Sequence, residues 1–408
     1  MKNQEWKQSF ILYYSLFLLN IISYFVLNSV IEVQSNRVRA LYVHMDVVSM
    51  ISLMVSIIVL IVIITMLKYY SKKILIFAIG VEIVIAALVL FSPNSTILLM
   101  VVILNSVATV LINVTLFIEI SKIAIREKQH AKVMLSLFLF STISILFCAI
   151  VNNIGLYVSI KLWIISVVII LLELLNLYWV IKFFPQESFK FLYRHRKLWF
   201  KRSISPSLRG VMLTAFCMVL IASFALQIYL RWMPNYMGVL YNASPDKIKL
   251  TTLYFYIAVI LSILFSRKVV SRISPVKLLM LMQLGLILSV IFMELLLQAT
   301  IYDPSSMQYY SLQFNIIVFA LGFFLGSSVP LIISTALTSY RLNQQYMVSA
   351  ILVLGLVIGN ILGRNIFEDF IGIPMITSIS APVIILFLLV IYYDYLRKMQ
   401  VKRIKQHE

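Results

Sequence analysis

A chain of 408 residues that is 62% hydrophobic and only 12% charged, with a mean hydropathy of +1.01, lies outside the range of a soluble globular domain. A net charge of +19 on a soluble surface would point to nucleic acid. Here the cations sit in short segments between apolar runs, where they meet anionic lipid head groups instead, so nucleic-acid binding is excluded and anionic lipids at the cytoplasmic face are expected partners.

About 20 apolar residues cross a bilayer core as a helix. In chain order, twelve such spans are predicted: Phe10–Val33, Leu41–Leu67, Ile74–Phe91, Thr96–Ile120, Val133–Val151, Leu156–Ile181, Val211–Tyr229, Leu250–Phe265, Leu278–Leu297, Leu312–Thr338, Met347–Gly363 and Met375–Tyr395. Val55–Met66 and Trp163–Leu172 are nearly apolar all round, unlike the one-faced helices of a soluble protein. The first span is too long for the core of a cleavable signal and lacks a small-residue cleavage site, so it reads as a signal anchor. The predicted fold class is an all-α integral membrane protein with twelve transmembrane helices in two six-helix halves.

The hydrophilic interval Phe183–Arg209 divides the halves. Residues 1–182 are expected to form one bundle, 183–209 a basic cytoplasmic linker, 210–397 a second bundle and 398–408 a cytoplasmic tail. Within the linker, Phe189–Arg202 mixes aromatic and basic residues, which suits a helix lying on the membrane surface. With the amino terminus inside, 27 of the 34 Lys and Arg fall in cytoplasmic segments, leaving Arg37, Arg39, Lys161, Arg231, Lys247, Lys249 and Arg364 at or near the outer face. The positive-inside rule then places both termini in the cytoplasm of a plasma or inner membrane. Abundant Ile, Lys and Asn suggest an AT-rich, bacterial genome.

Chemistry of the enzymatic kind is not expected. Cys148 and Cys217 lie inside predicted spans, and His44, His130, His195 and His407 are scattered, which implies neither disulfide nor metal site. No G-x-x-x-x-G-K-[ST] run occurs, so ATP-driven transport by this chain is not expected. No Asp, His and Cys constellation gathers at one membrane face. No cofactor is expected, and the expected state is a monomer.

Two six-span halves, a basic central loop and both termini inside resemble the major facilitator superfamily of secondary transporters. Tyr229-Leu-Arg-Trp-Met-Pro234-Asn-Tyr-Met-Gly238 is similar to that family's seventh-helix exit, and Ser266–Lys277 to its short basic loop between helices eight and nine. Lys68-Tyr-Tyr-Ser-Lys72-Lys73 keeps the closing basic pair of the first-half loop but not its glycine and aspartate. The fifth span lacks the Gly-Pro signature of the family's drug/proton antiporters, and the fourth lacks their buried arginine. The resemblance implies alternating access about a midplane site, lined by spans one, four, seven and ten.

Those spans carry polar stripes. Asn20, Tyr24, Asn28 and Glu32 repeat every four residues in span one, as do Asn105, Thr109 and Asn113 in span four, and residues four apart share a helix face. Span seven adds Ser223 and Gln227; span ten adds Gln313, Asn315, Ser327 and Ser328. Such residues either line a cavity or hydrogen-bond between helices. Gly322 and Gly326 in span ten, and Gly355, Gly359 and Gly363 in span eleven, allow close helix approach, and Pro330 permits a kink.

Glu82 and Glu173 fall near the middles of spans three and six, where a charge costs at least about 2.5–3.5 kcal/mol on insertion scales. They are the candidates for proton coupling, although by resemblance these spans are peripheral and a neutral Glu there also serves as a hydrogen-bonding group. Glu32, Asp46 and Arg231, with Arg37, Arg39, His44 and Glu294, form either an outer gate or an interfacial cluster. Glu119 and Lys122 suit a helix-end ion pair. No basic residue sits centrally in spans one, four, seven or ten, which disfavours polyanionic solutes.

The expectation is therefore proton-coupled export of small amphipathic or cationic compounds. Proton-coupled uptake of a small nutrient is the alternative. A flippase for lipid-linked oligosaccharides is a third reading, disfavoured because the cations are confined to loops.

Overall fold

The computed structural model describes residues 8–24, 45–90, 95–124, 127–158, 162–184, 206–241, 244–302, 307–340, 342–365 and 375–406. Asn28, Glu32, Arg37, Arg39, His44 and the expected surface helix Phe189–Arg202 lie outside these residues, as do the side chains of Asp46 and Arg231. The described residues form helices and short turns, without a strand. We number the helices α1 Gln8–Tyr24, α2 Met45–Leu90, α3 Ser95–Ile123, α4 Glu127–Val158, α5 Leu162–Phe183, α6 Pro206–Tyr241, α7 Pro245–Val269, α8 Pro275–Tyr302, α9 Met307–Gly326, α10 Ser328–Thr338, α11 Leu342–Asn365 and α12 Met375–Gln406. Among the described residues, eight helical segments are long and apolar enough to cross a membrane, with three shorter apolar helices beside them. This is an all-α membrane fold.

Two of the predicted spans are joined and one is split. Spans two and three share α2, whose 46 residues have a contour of roughly 69 Å at 1.5 Å per residue. That is more than twice a hydrocarbon core of about 30 Å, so α2 holds both spans. Lys72, between them, donates to the carbonyls of Ile181 and Phe184 at the end of α5, both at 2.8 Å. A cation there satisfies carbonyls that the helix itself leaves free. Predicted span ten is interrupted at Ser327, between α9 and α10, where the backbone takes φ −92° and ψ −2°. Pro330 follows three residues later and lacks the N–H that would bond the Gly326 carbonyl.

The chain packs as two compact units. One comprises the described parts of Met1–Ala124, Phe140–Ser203 and Arg341–Leu354; the other comprises those of Ile125–Leu139, Ile204–Tyr340 and Gly355–Glu408. In the first unit α2 packs against α3 and α5. Helix α3 is enclosed, with every residue from 110 to 121 buried. Helix α5 turns Ser166, Ile169, Glu173, Asn176 and Val180 inward, while Val168, Leu171, Leu174 and Tyr178 are exposed. That inward set repeats at three and four residues, one face of a helix, and it carries the polar groups.

In the second unit α7 packs on α9, α6 on α12, and α8 on both α9 and α12. Two glycine seams permit the closest approaches. A Cβ on Gly326 would stand 2.8 Å from the Cα of Val259 on α7, and one on Gly359 would meet the Leu220 carbonyl and stand 2.9 Å from the Ser223 Cβ on α6. Gly80, in contrast, has nothing within 4 Å of an added Cβ. We expect Gly326→Val and Gly359→Val each to destabilise the protein by about 1–3 kcal/mol through overpacking. Gly80→Ala should be neutral or stabilising by up to about 1 kcal/mol, with thermal unfolding of the purified variants separating the signs.

Candidate functional site

Glu82 on α2 and Glu173 on α5 are both fully buried in the first unit. The sequence places them 91 positions apart; the fold sets their carboxyl groups side by side, close enough to interact as charges. Glu82 follows Lys72 by ten residues, about 15 Å along a helix. With Lys72 at the end of α5, that distance sets the pair about half a hydrocarbon core deep.

Their partners are few. Glu173 Oε2 accepts a 3.3 Å hydrogen bond from Asn176 Nδ2, one turn along α5. Asn176 Oδ1 in turn accepts from Ser15 Oγ of α1 at 3.1 Å, a hydroxyl that is also 3.0 Å from the Ile11 carbonyl. Both oxygens of Glu82 and Oε1 of Glu173 have no hydrogen-bond partner among the described residues. An aromatic wall stands beside the network. Trp179 packs on Phe10 and Tyr14 at ring-centroid distances of 5.8 and 5.3 Å.

Of the stripes of spans one and four, Asn20 and Asn105 bond across helices. Asn20 Nδ2 donates to Ser141 Oγ of α4 at 2.9 Å and to the Leu16 carbonyl at 2.8 Å. Asn105 Oδ1 accepts from Ser23 Oγ at 3.0 Å, and Asn113 Nδ2 donates to the Thr109 carbonyl at 2.8 Å. Tyr24 and Thr109 are half-buried on the same helices.

In the second unit Gln227 Nε2 on α6 donates to Asn360 Oδ1 on α11 at 3.4 Å. Asn315 Oδ1 on α9 accepts from Thr251 Oγ1 on α7 at 2.8 Å, and Gln283 Nε2 on α8 donates to Ser328 Oγ at 2.7 Å. Glu119 and Lys122 form the expected helix-end pair at 2.6 Å.

Several residues were not read as site residues from the sequence. Ser15 and Asn176 complete the carboxyl network; the spacing of Glu173 and Asn176, three residues apart on one face, was the available signal. His130, one of four scattered histidines, is buried with Nδ1 3.0 Å from Ser334 Oγ of α10. Nearby in chain order, Glu127 receives both Arg397 guanidinium nitrogens, Nη1 at 3.0 Å and Nη2 at 2.9 Å, a bidentate geometry. No group of three or more His, Cys, Asp and Glu suited to a metal occurs among the described residues.

The amide of Asn176 links two helices, so the Ser15–Asn176 contact is measurable. Interhelical hydrogen bonds in membrane proteins contribute about 0.6 kcal/mol on average and at most about 1.7 kcal/mol. A double-mutant cycle of Ser15→Ala and Asn176→Ala, read by unfolding in detergent, should return a coupling in that range; strict additivity would contradict the link.

Comparison with known proteins places the fold. No protein-family model matches the chain, and no curated protein sequence does. Among solved structures, the outward conformation of the major facilitator superfamily transporter FucP superposes with a TM-score of 0.70 at 13% identity, covering 95% of this chain and 97% of that one. A variant of the E. coli fucose:proton symporter FucP gives 0.67 at 12%, covering 95% and 97%. The human organic anion transporter MFSD10 (TETRAN) gives 0.67 at 10%, covering 96% and 99%. The chain has the major facilitator fold over nearly its whole length.

Proposed function

We propose that this protein is a secondary active transporter working by alternating access, and that Glu82 and Glu173 couple its cycle to protons during export of small amphipathic or cationic compounds. The observation that carries the reading is the buried carboxyl pair. Two adjacent carboxylates in a low-dielectric interior repel each other, so at least one of them keeps a proton until water or a cation reaches the pair. Loss of that proton leaves two like charges at membrane depth, a state stabilised only by solvent access or by positive charge. Exchange of a proton for a cationic cargo meets that requirement.

The remaining candidates take supporting parts. Asn20, Tyr24, Asn28, Asn105, Thr109, Asn113, Gln227 and Asn315 offer amide, hydroxyl and aromatic groups to cargo, with Asn20, Asn105, Gln227 and Asn315 trading present interhelical partners for new ones. Glu32, Asp46 and Arg231 serve as an outer gate, with both termini on the cytoplasmic side of a cell membrane.

Uptake by proton symport is the second reading, supported by the likeness to a fucose:proton symporter. The other named neighbour is an organic anion transporter, so the fold leaves the cargo open and the site must decide it.

The test is proton flux from proteoliposomes under an inside-acid gradient, with lipophilic cations and neutral drugs added in turn. Substrate-triggered proton release in the wild type, lost in Glu82→Gln or Glu173→Gln, is the expected result. Release that survives both substitutions would remove the pair from the coupling mechanism, and no release with any compound would overturn the antiport reading.

A further inference from the structure

The second unit contains a cleft that the transport reading does not use. Between the start of α8 and the 394–399 segment of α12, a cavity of about 690 Å³ opens. Its residues occupy the terminal turns of two membrane spans, Pro275–Ala299 and Ser380–Met399, so its mouth lies where hydrocarbon gives way to water.

Part of the lining is apolar: Val276, Met280, Tyr395 and Met399, with Tyr395 56% and Met399 38% exposed. Part of it is cationic. Lys277, Arg397 and Lys398 face the cleft along with a single acid, Asp394. Asp394 is taken by Lys398 at 2.5 Å, and Arg397 is held by Glu127. Lys277 is exposed and forms no ion pair or hydrogen bond with the described residues. The first turn of α8 adds backbone donors. Leu278 N–H bonds the Ser274 carbonyl at 3.0 Å, whereas the Val276 and Lys277 amides precede the first intrahelical acceptor and favour a negative group.

A ligand for this cleft must carry both negative charge and apolar length, at an interface. A free anion would leave the Met and Tyr wall uncovered. We propose that the cleft binds an anionic glycerophospholipid, its phosphate between Lys277, Lys398 and the start of α8, and one acyl chain along the Val276–Met280 and Tyr395–Met399 wall. The neighbouring Arg267, Lys268 and Arg272 assign this end of the helices to the leaflet where anionic lipid is enriched. The lipid bridges α8 and α12, so its readout is stability and does not depend on whether the protein moves a solute.

The experiment compares full-length protein in nanodiscs of phosphatidylcholine alone and with phosphatidylglycerol, by thermal unfolding and by native mass spectrometry of retained lipid. Phosphatidylglycerol should raise the Tm of the wild type. In the Lys277→Ala/Lys398→Ala double variant that shift should vanish, with lipid binding weakened roughly thirtyfold, the factor expected from two interfacial cations. If the double variant is also less stable in phosphatidylcholine, Met280→Trp decides: it fills the apolar wall, keeps every cation and should likewise abolish the shift. A shift retained in both variants overturns the site. An equal shift from inorganic phosphate in phosphatidylcholine nanodiscs overturns the lipid assignment and makes it a free-anion site.

Discussion

Hydrocarbon neither donates nor accepts a hydrogen bond, so polar side chains on these helices are driven to face the inside of the protein or the interface. Helix α5 shows how that preference orders a span. Its polar residues Ser166, Glu173 and Asn176 are buried, while Leu171, Leu174 and Tyr178 lie on the outer surface. The amphipathicity is the reverse of that of a soluble helix, and it fixes the rotation of α5 about its own axis. From that rotation follow the meeting of Glu173 with Glu82, the bond from Asn176, and the reach of Asn176 to Ser15 on α1.

Close approach of backbones does the corresponding work in the second unit. At Gly326 and Gly359 the neighbouring helix comes too near for any side chain, and polar pairs sit beside each seam. Asn360, next to Gly359, meets Gln227, while Asn315 on the helix that ends at Gly326 meets Thr251. Helices that pack at glycine distance bring short amides and hydroxyls within bonding range, which longer spacers between helices would prevent. The interruption at Ser327 falls where the chain is enclosed: residues Ser328 through Leu337 are all buried.

Hydropathy alone located nearly every span, because length and apolar content are local properties. What it missed was non-local or a matter of backbone detail. The join of spans two and three in α2 depends on continuous helical bonding through the Lys68–Lys73 segment, which charge punctuation suggested as a loop. The break in span ten falls at Ser327, three residues before the proline that marked the kink. The amide stripes were visible by spacing, yet the partners of Asn20 and Asn105, Ser141 and Ser23, stand 121 and 82 positions away. Glu82 and Glu173 were each visible as buried acids; nothing in their separate spans says that they face one another. Ser15 and Asn176 passed as ordinary polar residues until the network joined them.

The proposed coupling requires a protonated carboxyl in the Glu82–Glu173 pair, and infrared spectroscopy of the reconstituted protein reads that proton most directly. The carbonyl stretch of a protonated carboxylic acid should be present at neutral pH, shift on exchange into deuterated water, change in Glu82→Gln and in Glu173→Gln, and disappear when both are replaced. A carboxylic-acid band that is unchanged in the double variant, or absent from the wild type, would contradict it.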